Sequence, residues 1–256
     1  MNGGIKGKME TMQQKLESIG GGVKIYTSAL HHFGTDAVLL ADFAAPKKSD
    51  TAIDLGSGCG IIPFLWAKHP APAHITALEM QPNAAALIRA SICYNGFEER
   101  ITVIEGDLRE VENRISALHT FSLVTMNPPY FTLNSGYRSE MSEMELARHQ
   151  LTCTTEDVIA CANKLLRFGG RVCICQKPEN VTDILCTMRR YRIEPKRLRF
   201  VCGKAGKEPY LVLVEGKKGG KSGLKVMSEL CVQNKDGTFS AEMLKIYGDY
   251  GDGTKG

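Results

Sequence analysis

From Thr51 onward, short apolar segments alternate with amphipathic segments, and few fold classes accommodate such an order. The apolar segments predict strands, while the amphipathic ones have the length and period of helices. Alternating strands and helices favour an α/β fold, in which a doubly wound, mainly parallel sheet carries helices on both faces. We predict seven strands, the last two forming an antiparallel closing pair: 51–55, 74–79, 101–105, 121–126, 171–175, 195–201 and 210–215.

The same alternation sets the predicted domain boundaries. With 256 residues, the chain is long enough for one α/β domain and a small appendage. We predict a domain over residues 51–216, with a covering element at 1–50 and a C-terminal extension at 217–256. An Asp-Gly turn signal at Asp236 marks the tip of a hairpin in that extension. The aperiodic stretch Asn127–Leu151 predicts a functional loop, because loops of this length inside a compact domain usually have a role of their own.

Composition excludes several classes of protein. Hydrophobic residues make up 43% of the chain, yet no apolar run reaches the roughly 18 residues of a membrane span. The first residues lack the apolar core of a secretory signal, so we expect a cytoplasmic protein. Nine scattered cysteines include no Cys-x-x-Cys pair, which favours reduced, packed thiols and no metal site. Cys173 and Cys175 alternate along a predicted strand and therefore share one face.

Basic residues are concentrated in one segment of the chain. The net charge is only +4, but residues 189–225 contain twelve Lys and Arg against three Glu. A basic segment on a mildly acidic remainder favours a polyanionic partner that contacts the protein off-centre. A solvated helix face together with the rim of the sheet is the alternative interpretation of the same charges.

A glycine-rich turn follows the first predicted strand and opens a helix, with the sequence Asp-Leu-Gly-Ser-Gly-Cys-Gly over residues 54–60. Glycine allows the backbone to turn sharply and to approach a ligand closely. A nicotinamide-binding turn has the spacing Gly-x-Gly-x-x-Gly, whereas Ile61 stands where its third glycine is required. Taken alone, the turn is also compatible with an ordinary tight connection in any open α/β sheet.

Acidic residues lie at the ends of the first three predicted strands: Asp54, Glu79 and Asp107. Because the carboxyl ends of parallel strands meet at one edge of a sheet, we expect these carboxylates to line one ligand site. They suit a ligand with a ribose, an adenine amino group and a cationic centre, and they repel phosphates. For Glu79 and Asp107, a solvated strand end is the alternative. The set resembles the nucleoside-binding half of the class I methyltransferases, which implies a Rossmann-like fold and S-adenosylmethionine as the cofactor.

The tetrad Asn127-Pro128-Pro129-Tyr130 follows the fourth predicted strand at the same edge. Two prolines stiffen the turn and remove two N–H donors, so its carbonyl groups are free to accept. A planar amino group is a poor nucleophile, because its lone pair is delocalised. The side-chain oxygen of Asn127 and the carbonyl of Pro128 are the predicted acceptors for its two hydrogens, and Tyr130 is expected to stack on the planar substrate. The alternative is a Pro-rich strand exit with Tyr130 in the core.

The tetrad resembles the catalytic motif of amino-methyltransferases that act on adenine N6, guanine N2 or glutamine N5. Two flanking elements resemble bacterial tRNA1(Val) (adenine-N6)-methyltransferases: residues 32–41, His-Phe-Gly-Thr-Asp-Ala-Val-Leu-Leu-Ala, and the segments 137–138 and 147–149, Tyr-Arg and Ala-Arg-His. The glutamine-N5 family usually differs in this loop and carries an N-terminal helical domain, for which the residues before Thr51 are too few. For residues 32–41, an amphipathic helix capped by Thr35 or Asp36 is an equally good interpretation.

This resemblance implies methyl transfer to N6 of the adenine at position 37, next to the anticodon of a valine tRNA. The anticodon loop of that tRNA is the implied partner, and no membrane or metal is implied. An rRNA guanine-N2 or a protein glutamine-N5 methyltransferase remains the alternative. Substrate contacts are implied for Arg138, Arg148 and His149, for which a solvated surface is the alternative. Cofactor contacts are implied for Thr35, Asp36, Asp54, Gly56, Gly58, Gly60, Glu79, Met80, Asp107, Leu108 and Asn127. Nothing in the sequence indicates an oligomeric state.

Overall fold

The computed structural model describes residues 14–128 and 153–248. The strands are β1 Lys15–Ser18, β2 Lys24–Thr27, β3 Thr51–Leu55, β4 His74–Glu79, β5 Ile101–Glu105, β6 Phe121–Met126, β7 Leu166–Gln176, β8 Ile193–Lys204, β9 Pro209–Lys218, β10 Lys225–Val226 and β11 Leu230–Gln233. The α-helices are α1 Thr35–Ala44, α2 Ile61–Ala67, α3 Pro82–Asn95, α4 Val111–Arg114, α5 Thr155–Leu165, α6 Val181–Arg190 and α7 Ala241–Tyr247. Two 3₁₀ turns complete the described elements, Leu108–Glu110 and Pro178–Asn180.

The central sheet has the strand order β5-β4-β3-β6-β7-β9-β8-β10, and β11 also pairs with β8. Strands β3 to β7 are parallel to one another, whereas β9 is antiparallel to both β7 and β8. All seven predicted strands are present, with the antiparallel closing pair in the predicted place. The predicted doubly wound, mainly parallel fold is therefore confirmed.

Local signals explain the bounds of the helices. Helix α3 begins at Pro82, whose fixed φ suits the first turn, and Gly96 ends it with a left-handed φ of 68°. Helix α5 begins with a capping box, in which the side chains of Thr154 and Asp157 each accept a backbone N–H of the other residue. Helix α1 begins at Thr35, and its N-cap residue is Gly34, which has no side chain to form a cap, so the alternative interpretation of capping by Thr35 or Asp36 is wrong.

The described residues before Thr51 form a hairpin, β1 and β2, and the helix α1. The β2 strand docks on α3 through two backbone amides: Lys24 N donates to Asn95 Oδ1 at 3.1 Å, and Tyr26 N donates to Ser91 Oγ at 2.8 Å. The hairpin was not predicted, because its two strands have only four residues each.

Beyond the closing pair, the chain adds two short strands to the outer strand β8. The predicted turn at Asp236 is present: Gly237 N donates to Asn234 O at 3.1 Å, Asn234 N donates to Thr238 O at 2.8 Å, and Gln233 forms an antiparallel bridge with Phe239. The chain then enters α7, which packs against α1. The domain boundaries remain a prediction.

Apolar side chains cover both faces of the sheet. One face packs against α1, α2, α3 and α7, and the other packs against α4, α5 and α6. Cys173 and Cys175 are fully buried on the α1 face, as predicted from their alternation. No helix among residues 14–128 and 153–248 combines the length and the apolar character that a membrane span requires.

Two arginines of the sheet stabilise the fold, and one of them, Arg197, belongs to the basic segment 189–225. Arg171 Nη2 donates to Ala45 O and Asp50 Oδ2, each at 3.0 Å, and Arg197 Nη2 donates to Phe43 O at 2.9 Å. These guanidinium groups thus satisfy carbonyls at the C-terminal end of α1, where a helix leaves acceptors without partners. Arg197 also pairs with Glu215 at 2.6 Å. At least this arginine of segment 189–225 therefore has a structural role.

Candidate active site

A cavity of about 480 Å³ opens at the carboxyl edge of the parallel strands. Its volume is in the range of small-molecule and cofactor sites. The walls come from the segments that follow β3, β4, β5 and β6, together with the residues that lead into α1. The sequence-predicted site residues that line it are Asp36, Asp54, Gly56, Gly58, Glu79, Met80, Asp107, Leu108, Asn127 and Pro128. Thr35 and Gly60 lie beside it and not in its lining.

The glycine-rich turn forms the floor of the cavity. Gly56, Gly58 and Gly60 have φ values of 62°, 56° and 85°, a region that residues with a Cβ rarely adopt. A Cβ at Gly60 would lie 3.1 Å from both Ile88 Cγ1 and Phe64 Cε2. The third glycine therefore serves packing of α2 against α3, whereas the first two shape the cavity.

Glu79 is buried at the end of β4, and backbone donors hold both of its carboxylate oxygens. Gly58 N donates to Oε2 at 2.7 Å, and Gln81 N donates to Oε1 at 2.8 Å. Burial raises the pKa of Glu79, while the amides that donate to it act in the opposite direction. Each oxygen keeps a further lone pair, so the fixed carboxylate can accept two vicinal hydroxyl groups from the cavity side.

Asp54 lies in β3 beneath the glycine turn and is 2% exposed. Thr125 Oγ1 donates to its Oδ1 at 2.7 Å. Burial and, to a smaller extent, the nearby charge of Glu79 raise the pKa of Asp54 to about 7, although the hydrogen bonds from Thr125 and Ser57 act in the opposite direction. The protein thus keeps two buried carboxyl groups side by side, an arrangement that a cationic ligand relieves.

Asp107 lines the cavity, and its carboxylate is paired with Arg109. Arg109 Nε donates to Oδ2 at 2.9 Å, its backbone N donates to Oδ1 at 2.9 Å, and its Nη2 also contacts Oδ2. The hydrogen bonds from Arg109 lower the pKa of Asp107, so this residue stays ionised. The sequence interpretation did not anticipate the arginine, although it stands only two residues away.

The first turn of α1 contributes Asp36 to the cavity wall. Burial raises the pKa of Asp36. Thr35 does not reach the cavity, and its Oγ1 lies 3.1 Å from the Tyr247 hydroxyl of α7. Val38, Leu39 and Leu40 are buried as predicted, but so are most other residues of the helix, which packs as a largely buried element and also supplies cavity residues.

Asn127 and Pro128 follow β6 and line the same cavity. The side chain of Asn127 is held by a residue of the neighbouring strand: Cys175 Sγ donates to Asn127 Oδ1 at 3.0 Å. The β6–β7 register, in which Met126 pairs with Ile174, brings the next residues Asn127 and Cys175 together. The carboxamide oxygen is thereby positioned while it keeps a lone pair for a further donor.

Five predicted site residues lie outside the described residues: Pro129, Tyr130, Arg138, Arg148 and His149. Their roles remain predictions.

Several cavity residues were not predicted from the sequence. His31, His32, Phe33 and Gln81 line the cavity next to predicted residues, so their position in the chain is the signal that places them there. Cys175 contacts Asn127, and Tyr247 contacts Thr35. No sequence pattern indicates these contacts.

Comparisons with known proteins agree with this geometry. Residues 41–135 match the family model of the TRM5/TYW2 methyltransferase domain. The tRNA1(Val) (adenine(37)-N6)-methyltransferase of Aeromonas hydrophila is 29% identical over 214 residues, which cover 83% of this chain and 87% of that protein. A protein of the same name from Porphyromonas gingivalis is 29% identical over 74% of this chain and 75% of its own length.

Solved structures share the fold. An Agrobacterium tumefaciens protein described as a predicted O-methyltransferase superposes with a TM-score of 0.68 at 23% identity, covering 84% of this chain and 97% of its own. The AdoMet complex of M. jannaschii TYW2 has a TM-score of 0.55 at 13% identity, covering 80% of this chain and 85% of its own.

The sheet order, the glycine turn and the acid-lined cavity define a class I methyltransferase, an enzyme that takes its methyl group from S-adenosylmethionine. The resemblance to the tRNA1(Val) (adenine-N6)-methyltransferases, which the sequence motifs indicate, is confirmed by relatives that match most of the chain.

Proposed function

We propose that the protein transfers a methyl group from S-adenosylmethionine to N6 of the adenine at position 37 of a valine tRNA, beside the anticodon. The observation that carries the proposal is the position of Asn127 and Pro128 in the lining of the same cavity as Asp54 and Glu79. The choice of adenine and of tRNA is supported by the similar sequences of the tRNA1(Val) (adenine(37)-N6)-methyltransferases of Aeromonas hydrophila and Porphyromonas gingivalis.

The described residues fit the cofactor. Glu79 is oriented to accept the two ribose hydroxyls, because two backbone amides fix its carboxylate without using all of its lone pairs. Gly56 and Gly58 add no side chain where the nucleoside approaches. Asp36 and Asp54 place negative charge in the cavity, where it attracts the cationic group of the cofactor and would repel a phosphate. When bound, S-adenosylmethionine supplies an electrophilic methyl group on a positively charged sulfur.

Asn127 and Pro128 act on the nucleophile. The N6 amino group donates one hydrogen bond to Asn127 Oδ1 and the other to the Pro128 carbonyl, which turns its nitrogen lone pair toward the methyl group. Pro128 has no N–H, so its backbone contributes an acceptor only. Hydrogen-bond acceptors aimed at developing positive charge stabilise the transition state without a strong general base. Tyr130 stacking on the adenine is part of the proposal.

The adenine reaches the cavity at moderate cost. Position 37 lies in a loop, so its base is extruded without opening a base pair. Arg138, Arg148 and His149 are proposed to contact the tRNA, and lysines of segment 189–225 that lack structural roles are proposed to contact its phosphates. A cytoplasmic location is part of the same proposal.

The test is incubation of the full chain with radiolabelled S-adenosylmethionine and unmodified tRNA, followed by nucleoside analysis. The proposal predicts label in N6-methyladenosine, and it predicts that a valine tRNA with adenine 37 replaced by guanosine is not labelled. Label in N2-methylguanosine would favour an rRNA-type guanine enzyme. Label in glutamine of a protein and never in RNA would refute the proposal.

A further inference from the structure

Two cysteines far apart in the chain meet where the C-terminal extension joins the sheet. Cys202 of β8 and Cys231 of β11 are direct partners in the parallel pairing of these strands, and their Sγ atoms lie 3.1 Å apart. Neither forms a disulfide. Cys202 is fully buried and Cys231 is half-buried.

A carboxylate completes the group. Glu229 stands two residues before Cys231 and is exposed, and one ligand atom from each of Cys202, Glu229 and Cys231 lies within 4.8 Å of the others. Two sulfurs and one carboxylate oxygen thus lie close enough together to bind one metal ion, which would displace the thiol protons on binding.

We propose that Cys202, Cys231 and Glu229 bind one thiophilic divalent cation, for which Zn²⁺ is the natural probe. Two sulfurs and one carboxylate oxygen are ligands that Zn²⁺ prefers, and a water molecule can take the fourth position. Sulfurs on one tetrahedral Zn²⁺ lie about 3.8 Å apart, because each Zn–S bond measures about 2.3 Å. The thiols need to separate by less than 1 Å, a change that side-chain rotation provides.

The cation would fasten the C-terminal extension to the sheet. Strand β11 has only four residues and leads through a turn to α7, whose Met243 and Tyr247 pack in the core beneath α1. The Tyr247 hydroxyl lies 3.1 Å from Thr35 Oγ1, next to the cavity residue Asp36. A metal between β8 and β11 thus stabilises the segment that supports one wall of the cofactor site.

The test uses the full chain, reduced with a phosphine and free of metal. Titration with Cd²⁺ should produce the ultraviolet thiolate-to-metal absorption with an end point of one ion per chain, and Zn²⁺ should abolish it by competition. Cys202→Ser and Cys231→Ser should lose the absorption, whereas Cys93→Ser and Cys186→Ser, which change exposed cysteines elsewhere, should retain it. Zn²⁺ should also raise the melting temperature of the wild type and not that of Cys231→Ser.

Glu229→Gln keeps the proposal testable if the buried cysteine variant does not fold, because Glu229 is exposed. The affinity of Glu229→Gln for Zn²⁺ should fall by at least about tenfold, because even the loss of a residue that only orients a metal ligand has an effect of this size. An unchanged affinity, equal absorption in Cys231→Ser and the wild type, or a Cys202–Cys231 disulfide that persists under reduction would overturn the proposal. Since the measurements report metal binding and not methyl transfer, they are independent of the proposed substrate.

Discussion

Glu79→Gln replaces one oxygen of a carboxylate that is held between two backbone amides. Because Gly58 N and Gln81 N donate to different oxygens, the new amide nitrogen must face one of these donors. A buried N–H left without an acceptor costs about 1–3 kcal/mol, and a hydrogen bond to a charged group is worth about 1.5–3 kcal/mol. Removal of the buried charge offsets part of the loss in the free protein, since burial raises the pKa of Glu79.

In the bound state, nothing offsets the lost acceptor for the ribose. We therefore expect the Kd for S-adenosylmethionine to rise about 10- to 100-fold, from the free energy of one charge-assisted hydrogen bond. Isothermal titration calorimetry measures the Kd, and a thermal melt checks that the variant is folded.

Glu105→Gln is the matched control. Glu105 pairs with Glu79 across β4 and β5 but lies on the exposed side, where it contacts Arg89 at 3.2 Å. Its substitution should leave the Kd within about twofold, because exposed ion pairs contribute about 1 kcal/mol or less. A folded Glu79→Gln protein with the Kd of the wild type would refute the assignment of Glu79 to the ribose.

Three other predictions follow from the geometry of the site. Gly60→Ala should lower the free energy of unfolding by about 2–4 kcal/mol, because the left-handed backbone is strained and the new Cβ makes close contacts. Gly96→Ala is the control, since the space around Gly96 is open and only the backbone strain applies. Equal melting temperatures for the two variants would contradict this prediction. Cys175→Ala should lower kcat with little change in KM for the cofactor, because it removes the donor that orients Asn127, and Cys175→Ser should restore the rate; identical rates for both variants would exclude the positioning role. The affinity for S-adenosylmethionine should increase from pH 6 to pH 8, because the pKa of Asp54 is raised to about 7 and a bound cation favours its ionised form. S-adenosylhomocysteine has an uncharged sulfur, so its affinity should change less between pH 6 and pH 8. Equal pH profiles for the two ligands would contradict the proposed interaction of Asp54 with the cation.

The parallel sheet was predictable because its strands are continuous apolar runs. Strands β3 to β6 have the predicted limits, since each is flanked by polar or glycine-rich segments, and β3, β4 and β6 are almost entirely buried. The cavity followed from topology, because parallel strands bring their carboxyl ends together. The acids and the start of the tetrad were thus placed correctly at one edge before any contact was known.

The remaining features depend on contacts that no local pattern encodes. The pairing of Cys175 with Asn127 requires the register of β6 and β7, and that of Cys202 with Cys231 requires a strand of only four residues. The basic segment was interpreted from its net charge, yet Arg197 and Arg199 form ion pairs within the fold, with Glu215 and Glu242. Net charge does not indicate which cations have intramolecular partners.

The central claim is that Asn127 accepts a hydrogen bond from the amino group that is methylated. The most direct measurement compares Asn127→Ala with the wild type in a single-turnover methylation of tRNA and in cofactor binding. Loss of a transition-state acceptor costs about 10²- to 10³-fold in rate. We predict such a loss with the Kd for S-adenosylmethionine changed by less than about tenfold, because one neutral hydrogen bond contributes about 0.5–1.5 kcal/mol. Methylation of adenine by Asn127→Ala at the rate of the wild type would contradict the account.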